Sequence, residues 1–243
     1  MTARQHFQTE APEAEAAHGK VLVWDAPVRV FHWLMVLAFA GAWLTGEEDG
    51  WRLVHVTLGY TMAGLVAFRL AWGLVGTRYA RFSDFVRGPG SVLRYFRALV
   101  HGKPEHYTGH NPAGAVAIVT MLALTLLVAL SGWAHWHGYG GHTMEEVHEV
   151  LATLMLAVVG IHVAAVLLSS WLHHENLVKA MIGGRKTGRP RDGIRGARRG
   201  VAAVVLLAVL GFWWLQSQDP VGAGQPAERA APSARHDAGD DEG

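Results

Sequence analysis

The chain has 243 residues, 51% of them hydrophobic, and a formal net charge of +1. Its apolar residues gather in stretches of about 16 to 26 with few charges, the length needed to cross roughly 30 Å of hydrocarbon, which sets it apart from soluble domains, and nothing in it points to a nucleic-acid partner. The complete lack of cysteine excludes disulfides, thiolate metal sites, iron–sulfur clusters and covalently attached c-type haem, so any metal or cofactor must be held by some of the 15 histidines.

Residues 1–20 are polar, alternate Ala with Glu and lack the basic start and apolar centre of a signal peptide. They are expected to be a retained, disordered, cytoplasmic N-terminus. Hydropathy then predicts five spans, at roughly 28–45, 53–76, 112–133, 147–172 and 201–216. The connections orient them. "GEEDGWR" after the first span has one Arg and "AHWHGYGGHTMEE" after the third has none, whereas residues 77–111 hold six Lys or Arg and residues 173–200 hold eight. By the positive-inside bias the basic connections face the cytoplasm. Residues 186–200 read as a basic cytoplasmic linker before the extra span, and 217–243, rich in Ala, Pro, Gly and Asp, as a disordered periplasmic tail. "SDFVRGPGSVLRYFRALVHG" mixes apolar residues with Arg in a loosely helical pattern, either a helix on the inner membrane surface or a basic topology-setting loop. Arg69, near the inner end of the second span, reads as a snorkelling side chain or as a contact to an anionic cofactor group.

Polar residues at membrane depth are costly and usually functional, which singles out four histidines: His32, His55, His148 and His162. His148 and His162 are 14 residues apart, close to four helical turns, so both project from nearly the same face about 21 Å apart along the axis. The alternating orientation of the spans puts His55 at the outer level with His148 and His32 at the inner level with His162. Two depth-matched pairs result. Structural zinc takes four protein ligands and catalytic zinc usually three, so a pair is too few; haem iron lacks only its two axial ligands, and a His pair completes it. Gly59, Ala152 and Gly160 near these histidines are small enough to let a macrocycle approach, although such residues are also ordinary helix-packing sites.

"VLVWDAPVRVFHW", "LVHVTLGY", "YTGHNPAG" and "HEVLATLMLAVVGIHVAAVLLSSWLHHENLVKAM" together resemble the bacterial di-haem cytochrome b561 family, which includes the b-type membrane subunits of nickel–iron hydrogenases. The resemblance covers about residues 20–185. It implies an all-α fold, an integral membrane four-helix haem bundle over 21–185, to which this chain adds a fifth C-terminal transmembrane helix over 201–216. It also implies two b haems per chain, with His32 paired to His162 and His55 to His148, in agreement with the pairing read from topology.

The expected function is electron transfer across a bacterial inner membrane by a multi-pass b-type cytochrome, or by such a subunit of a quinone-linked oxidoreductase. The resemblance implies a quinone on one side and a periplasmic redox partner on the other, a c-type cytochrome or a dehydrogenase or hydrogenase. The acidic outer stretch Glu47, Glu48, Asp49 offers charge complementarity to a basic partner. Two other classes stay open: a His-based membrane protein or metalloenzyme binding zinc or copper without haem through His135, His137, His142 and His148, and a non-redox assembly subunit.

Overall fold

The computed structural model describes residues 19–47, 49–102 and 107–219. The stretch up to His18, Glu48, residues 103–106 and the tail from Pro220 lie outside them, and with them most of the expected N-terminal and C-terminal disorder and part of the acidic stretch.

Among the described residues five helices are long and apolar enough to cross a membrane: α1 (Ala26–Leu44), α2 (Arg52–Val75), α5 (Pro112–Trp136), α6 (Gly141–Leu172) and α8 (Arg199–Gln218). Between α2 and α5 lie the short α3 (Phe82–Phe85) and α4 (Pro89–Val100), and α7 (Leu177–Gly183) follows α6. All five expected spans are present. The largest difference is at α6, which starts at Gly141 rather than near 147, because "GHTMEE" is too polar to register as hydrocarbon-embedded yet propagates the helix beyond it. Local signals set the starts of α1 and α5. Asp25 caps α1 by accepting from Val28 N at 2.9 Å, with Pro27 in the first turn, and Asn111 caps α5 by accepting from Gly114 N at 2.7 Å, with Pro112 directly after it.

Helices α1 and α2 form one antiparallel hairpin and α5 and α6 a second; α2 packs on α5, and α8 covers α1. Leu34, Leu65 and Val205 bring α1, α2 and α8 together, with Phe31, Phe68 and Val209 against them. Trp213 Nε1 donates to Thr61 Oγ1 at 2.9 Å and fastens α8 to α2. A second cluster, Leu124, Val128 and Met155 with Phe39 and Leu151, joins α5 and α6 to α1. Large apolar side chains face outward along the spans, with Leu74 at 74% and Trp171 at 73% exposure. In water such a surface would associate; in lipid it costs nothing.

One end of the bundle carries the two Arg- and Lys-rich connections, and there the chain builds a cap. Strand β1 (Gly19–Leu22) pairs antiparallel with β2 (Arg185–Gly188), Gly19 opposite Gly188 and Leu22 opposite Arg185. This ribbon is absent from the sequence expectation, since two four-residue segments of weak β character lying far apart in the chain give no periodic signal. Val21, Val23, Trp24, Tyr79 and Ala180 form the core beneath it. Lys186, only 5% exposed, pairs with Glu175 at 3.4 Å and donates to the Tyr107 carbonyl at 3.2 Å. Helix α4 exposes Leu93, Phe96 and Val100 beside Arg94 and Arg97 and turns Tyr95 inward to Asn111, the arrangement expected of a surface helix.

Asp25 organises this end. It is 1% exposed, and besides capping α1 its second carboxylate oxygen accepts from Trp72 Nε1 at 3.0 Å and Thr77 Oγ1 at 2.7 Å, so it ties the start of α1 to the end of α2. Asp25→Ala removes the acceptor from three donors, one buried and two partly buried, and is expected to cost about 3 kcal/mol, while Asp25→Asn, which keeps one oxygen, costs less. Thermal unfolding of the detergent-solubilised protein followed by circular dichroism checks this; an Asp25→Ala variant as stable as the parent would show that the hub carries no stability.

Candidate haem-ligand site

His55 enters from α2, one turn past its start, and His148 from the polar first half of α6, both near the end with short, Lys- and Arg-poor connections. Their ring centroids are 6.0 Å apart and the planes are nearly perpendicular, at 81°. Each ring is held by its Nδ1: that of His55 lies 2.8 Å from the Ala42 carbonyl oxygen, and that of His148 lies 3.0 Å from the Val128 carbonyl oxygen and 3.2 Å from Ser131 Oγ. A carbonyl can only accept, so in both rings Nδ1 carries the hydrogen and Nε2 keeps its lone pair. This is the arrangement by which ligating histidines are oriented and made more basic. Two imidazole–metal bonds of roughly 2 Å each, plus the half-width of each ring, put the centroids of a bis-imidazole site about 6 Å apart. The pair fits such a site.

Gly132 of α5 makes room for it. A Cβ there would stand 2.8 Å from His148 Cε1 and 3.1 Å from its Nδ1, whereas one on Gly46 would meet His55 Cε1 at an ordinary 3.7 Å. Gly59 and Gly160, singled out from the sequence as possible macrocycle contacts, have nothing within 4 Å of an added Cβ. Sequence reading missed Gly132, Ser131 and the two carbonyls. A glycine in an apolar helix looks like any packing glycine, and a main-chain acceptor leaves no trace in residue identity.

His32 and His162 lie toward the basic end, on α1 and α6, within electrostatic range of each other. The His32 ring meets Trp33 edge-on at 5.1 Å, and its Nδ1 is buried without a hydrogen-bond partner. The carbonyl support seen for the first pair is therefore absent at His32. Close by, His110 is wedged between Trp24 and Phe85, at centroid distances of 4.5 and 4.7 Å. Burial, with Arg69, Lys186 and His162 adding to it, lowers its pKa to about 3, so this ring is neutral at any physiological pH. It joins the cap, α3 and the start of α5, and so holds the "YTGHNP" loop in place.

The histidines on either side of the α5–α6 connection do other work. His137 Nδ1 donates to the Trp133 carbonyl at 2.8 Å and closes α5, while His142 pairs with Glu145 at 3.2 Å and Glu146 at 3.3 Å on an exposed surface. Among the described residues no three histidine or acidic side chains converge as metal ligands would, and the zinc or copper reading through His135, His137 and His142 finds no geometric support.

The chain is similar to several known b-type cytochrome subunits. A "Probable Ni/Fe-hydrogenase B-type cytochrome subunit" of Rhodobacter capsulatus is 26% identical over 215 residues, covering 69% of this chain and 81% of its own. One of the same description from Rhizobium leguminosarum bv. viciae is 23% identical over 233 residues, covering 74% and 97%. A "Probable Ni/Fe-hydrogenase 1 B-type cytochrome subunit" of Escherichia coli (strain K12) is 27% identical over 138 residues, covering 46% and 58%. No solved structure gives a significant match. The family model described as prokaryotic cytochrome b561 matches residues 23–184. That match runs from just before α1 through α7 and takes in all four candidate ligands, and by it the chain belongs to the prokaryotic cytochrome b561 family of multi-pass membrane b-type cytochromes.

Proposed function

We propose that this chain relays electrons across a bacterial inner membrane through two b haems, one held by His55 and His148 and the other by His32 and His162. The observation that carries the reading is the first pair: two imidazoles from different hairpins, about one metal atom apart, both with Nδ1 committed to main-chain carbonyls. Bound haem supplies one-electron chemistry at its iron. His55 and His148 would hold one haem and His32 and His162 the other, and with imidazoles as its protein ligands each would supply electron transfer rather than substrate binding. Between the two levels the buried residues Leu124, Val128 and Met155, with Phe39 against them, exclude water from the space the electron crosses.

In the proposed orientation the basic end, with the N-terminus and β1, faces the cytoplasm, and the short-loop end and the acidic tail 217–243 face the periplasm. The domain runs over 21–185, residues 186–200 link it to α8, and the short-loop end meets the periplasmic partner. The relatives' descriptions favour a nickel–iron hydrogenase in that role over a c-type cytochrome, with quinone exchanging electrons on the other side.

Membranes containing the protein are expected to show a reduced-minus-oxidised b-type spectrum, and the purified chain two haems by pyridine haemochrome assay. His162→Ala should remove the haem at the basic end alone and His148→Ala the other alone; loss of the opposite haem in either variant would overturn the pairing, and a colourless protein from haem-replete cells the whole reading. Gly132→Ala, whose methyl group displaces the His148 ring, is expected to weaken the periplasmic site about 10-fold or more and spare the cytoplasmic one. Haem retention during dilution reads that difference.

A further inference from the structure

Arg69 is the most buried cation in a membrane-length helix of this chain. It is 3% exposed, and its Nη1 is buried without a hydrogen-bond partner. A snorkelling arginine would carry its guanidinium to water; this one lies under α3 instead, 4.9 Å from the centre of the Phe82 ring and 6.0 Å from that of Phe85. Asp25 is near enough to act on it electrostatically, but the two form no ion pair, and the Asp25 oxygens are taken by Val28 N, Trp72 Nε1 and Thr77 Oγ1. A buried guanidinium with a free N–H is costly until an anion meets it.

Its place in the bundle says where that anion sits. Arg69 follows His55 by 14 residues, the same interval that separates His148 from His162. Each of α2 and α6 therefore presents two polar groups on one face at two levels: histidine and histidine on α6, histidine and arginine on α2. Both Arg69 and His162 act electrostatically on the buried His110 ring, which puts them around the same point.

We infer that Arg69 binds a carboxylate of the cofactor at the basic end, a propionate of the haem held by His32 and His162. The inference rests on the two-haem reading above. Guanidinium and carboxylate match as a two-pronged, charge-assisted pair, and the pair would meet the one hydrogen-bonding demand at this level that the protein leaves open on α2. Arg69 then acts as a positioning residue: it fixes how the macrocycle is turned about the axis between the two histidines and, by placing a positive charge beside it, favours the reduced iron.

The test is a redox titration of the whole, haem-loaded protein, with the haem count taken on the same sample. Arg69→Gln is expected to keep two haems and to lower the reduction equilibrium constant of the His162-dependent haem about tenfold, which for a one-electron couple is about 59 mV, leaving the other haem unchanged. Arg69→Lys, retaining the charge, should shift it less. Arg78→Gln, which alters an exposed arginine at the same end paired with Asp84 at 3.6 Å, should leave both haems as they were. Haem retention during dilution separates the pair from the charge alone: at the His162-dependent site the parent should hold free-acid haem better than Arg69→Gln does, and this advantage should largely vanish with haem dimethyl ester, whose carboxylates are blocked. A two-haem Arg69→Gln protein that titrates like the parent overturns the inference alone, as does a retention advantage undiminished with the ester. A chain that binds haem only at His55 and His148 overturns the two-haem reading and this inference with it. If Arg69→Gln fails to fold, Arg69→Lys decides: a shift confined to the His162-dependent haem supports the pairing, and none overturns it.

Discussion

An imidazole presents a fixed lone pair when something holds its other nitrogen, and at His55 and His148 the holder is the main chain of a neighbouring helix. Ala42 on α1 holds His55 of α2, and Val128 on α5 holds His148 of α6. Each hairpin is thus a unit of one helix that presents an imidazole and one that orients it. The demand propagates into the sequence of the holding helix. The His148 ring can reach the Val128 carbonyl because Gly132, one turn later, has no side chain to stand in its way, and Ser131 beside it offers a second acceptor. Helix α5 contributes no ligand of its own to the site, yet it is as constrained as the helices that do.

The spacing along α6 divides the interior into levels. Met155 lies seven residues from both His148 and His162, two turns from each, and at 5% exposure it is the one fully buried residue of that helix. It packs with Leu124, Val128 and, from the other hairpin, Phe39. Histidines above and below an apolar layer are what the proposed relay requires, because such a layer keeps water and ions from the space between them. The rest of the apolar stretch of α6 is exposed at the bundle surface or half-buried, which explains why the sequence there reads as a plain hydrophobic span.

How much of this was legible in the sequence follows from what each feature depends on. The five spans depend on hydropathy summed over about 20 residues, a strong signal, and the paired depths of the histidines depend on helix period and chain orientation, which are fixed once the spans are known. The early start of α6 was missed because a helix and a membrane have different boundaries, and hydropathy reports only the membrane. The β1–β2 ribbon depends on two short segments some 160 residues apart meeting, which no local pattern encodes. Arg69 shows a subtler limit. Its position admitted two readings, and only the fold, by laying Phe82 and Phe85 of α3 across it, removed the route to water that snorkelling needs.

The cap at the basic end carries the remaining requirement, which is register. A slip of one residue in a helix turns a side chain by about 100° and moves it about 1.5 Å along the axis, enough to take His32 out of line with His162. Asp25 prevents the slip in α1, since it is at once the cap of that helix and the acceptor for Trp72 and Thr77 at the end of α2. At the far end of α6, Ser170 Oγ accepts from Leu177 N, and Glu175 meets Lys186 of β2. Strand β2 pairs with β1, and β1 leads within a few residues to Asp25. The start of α1 and the end of α6 are therefore parts of one clamped structure, reached from opposite directions along the chain. His32 has no carbonyl on its Nδ1 as His55 and His148 do, and it is this clamp that sets its height.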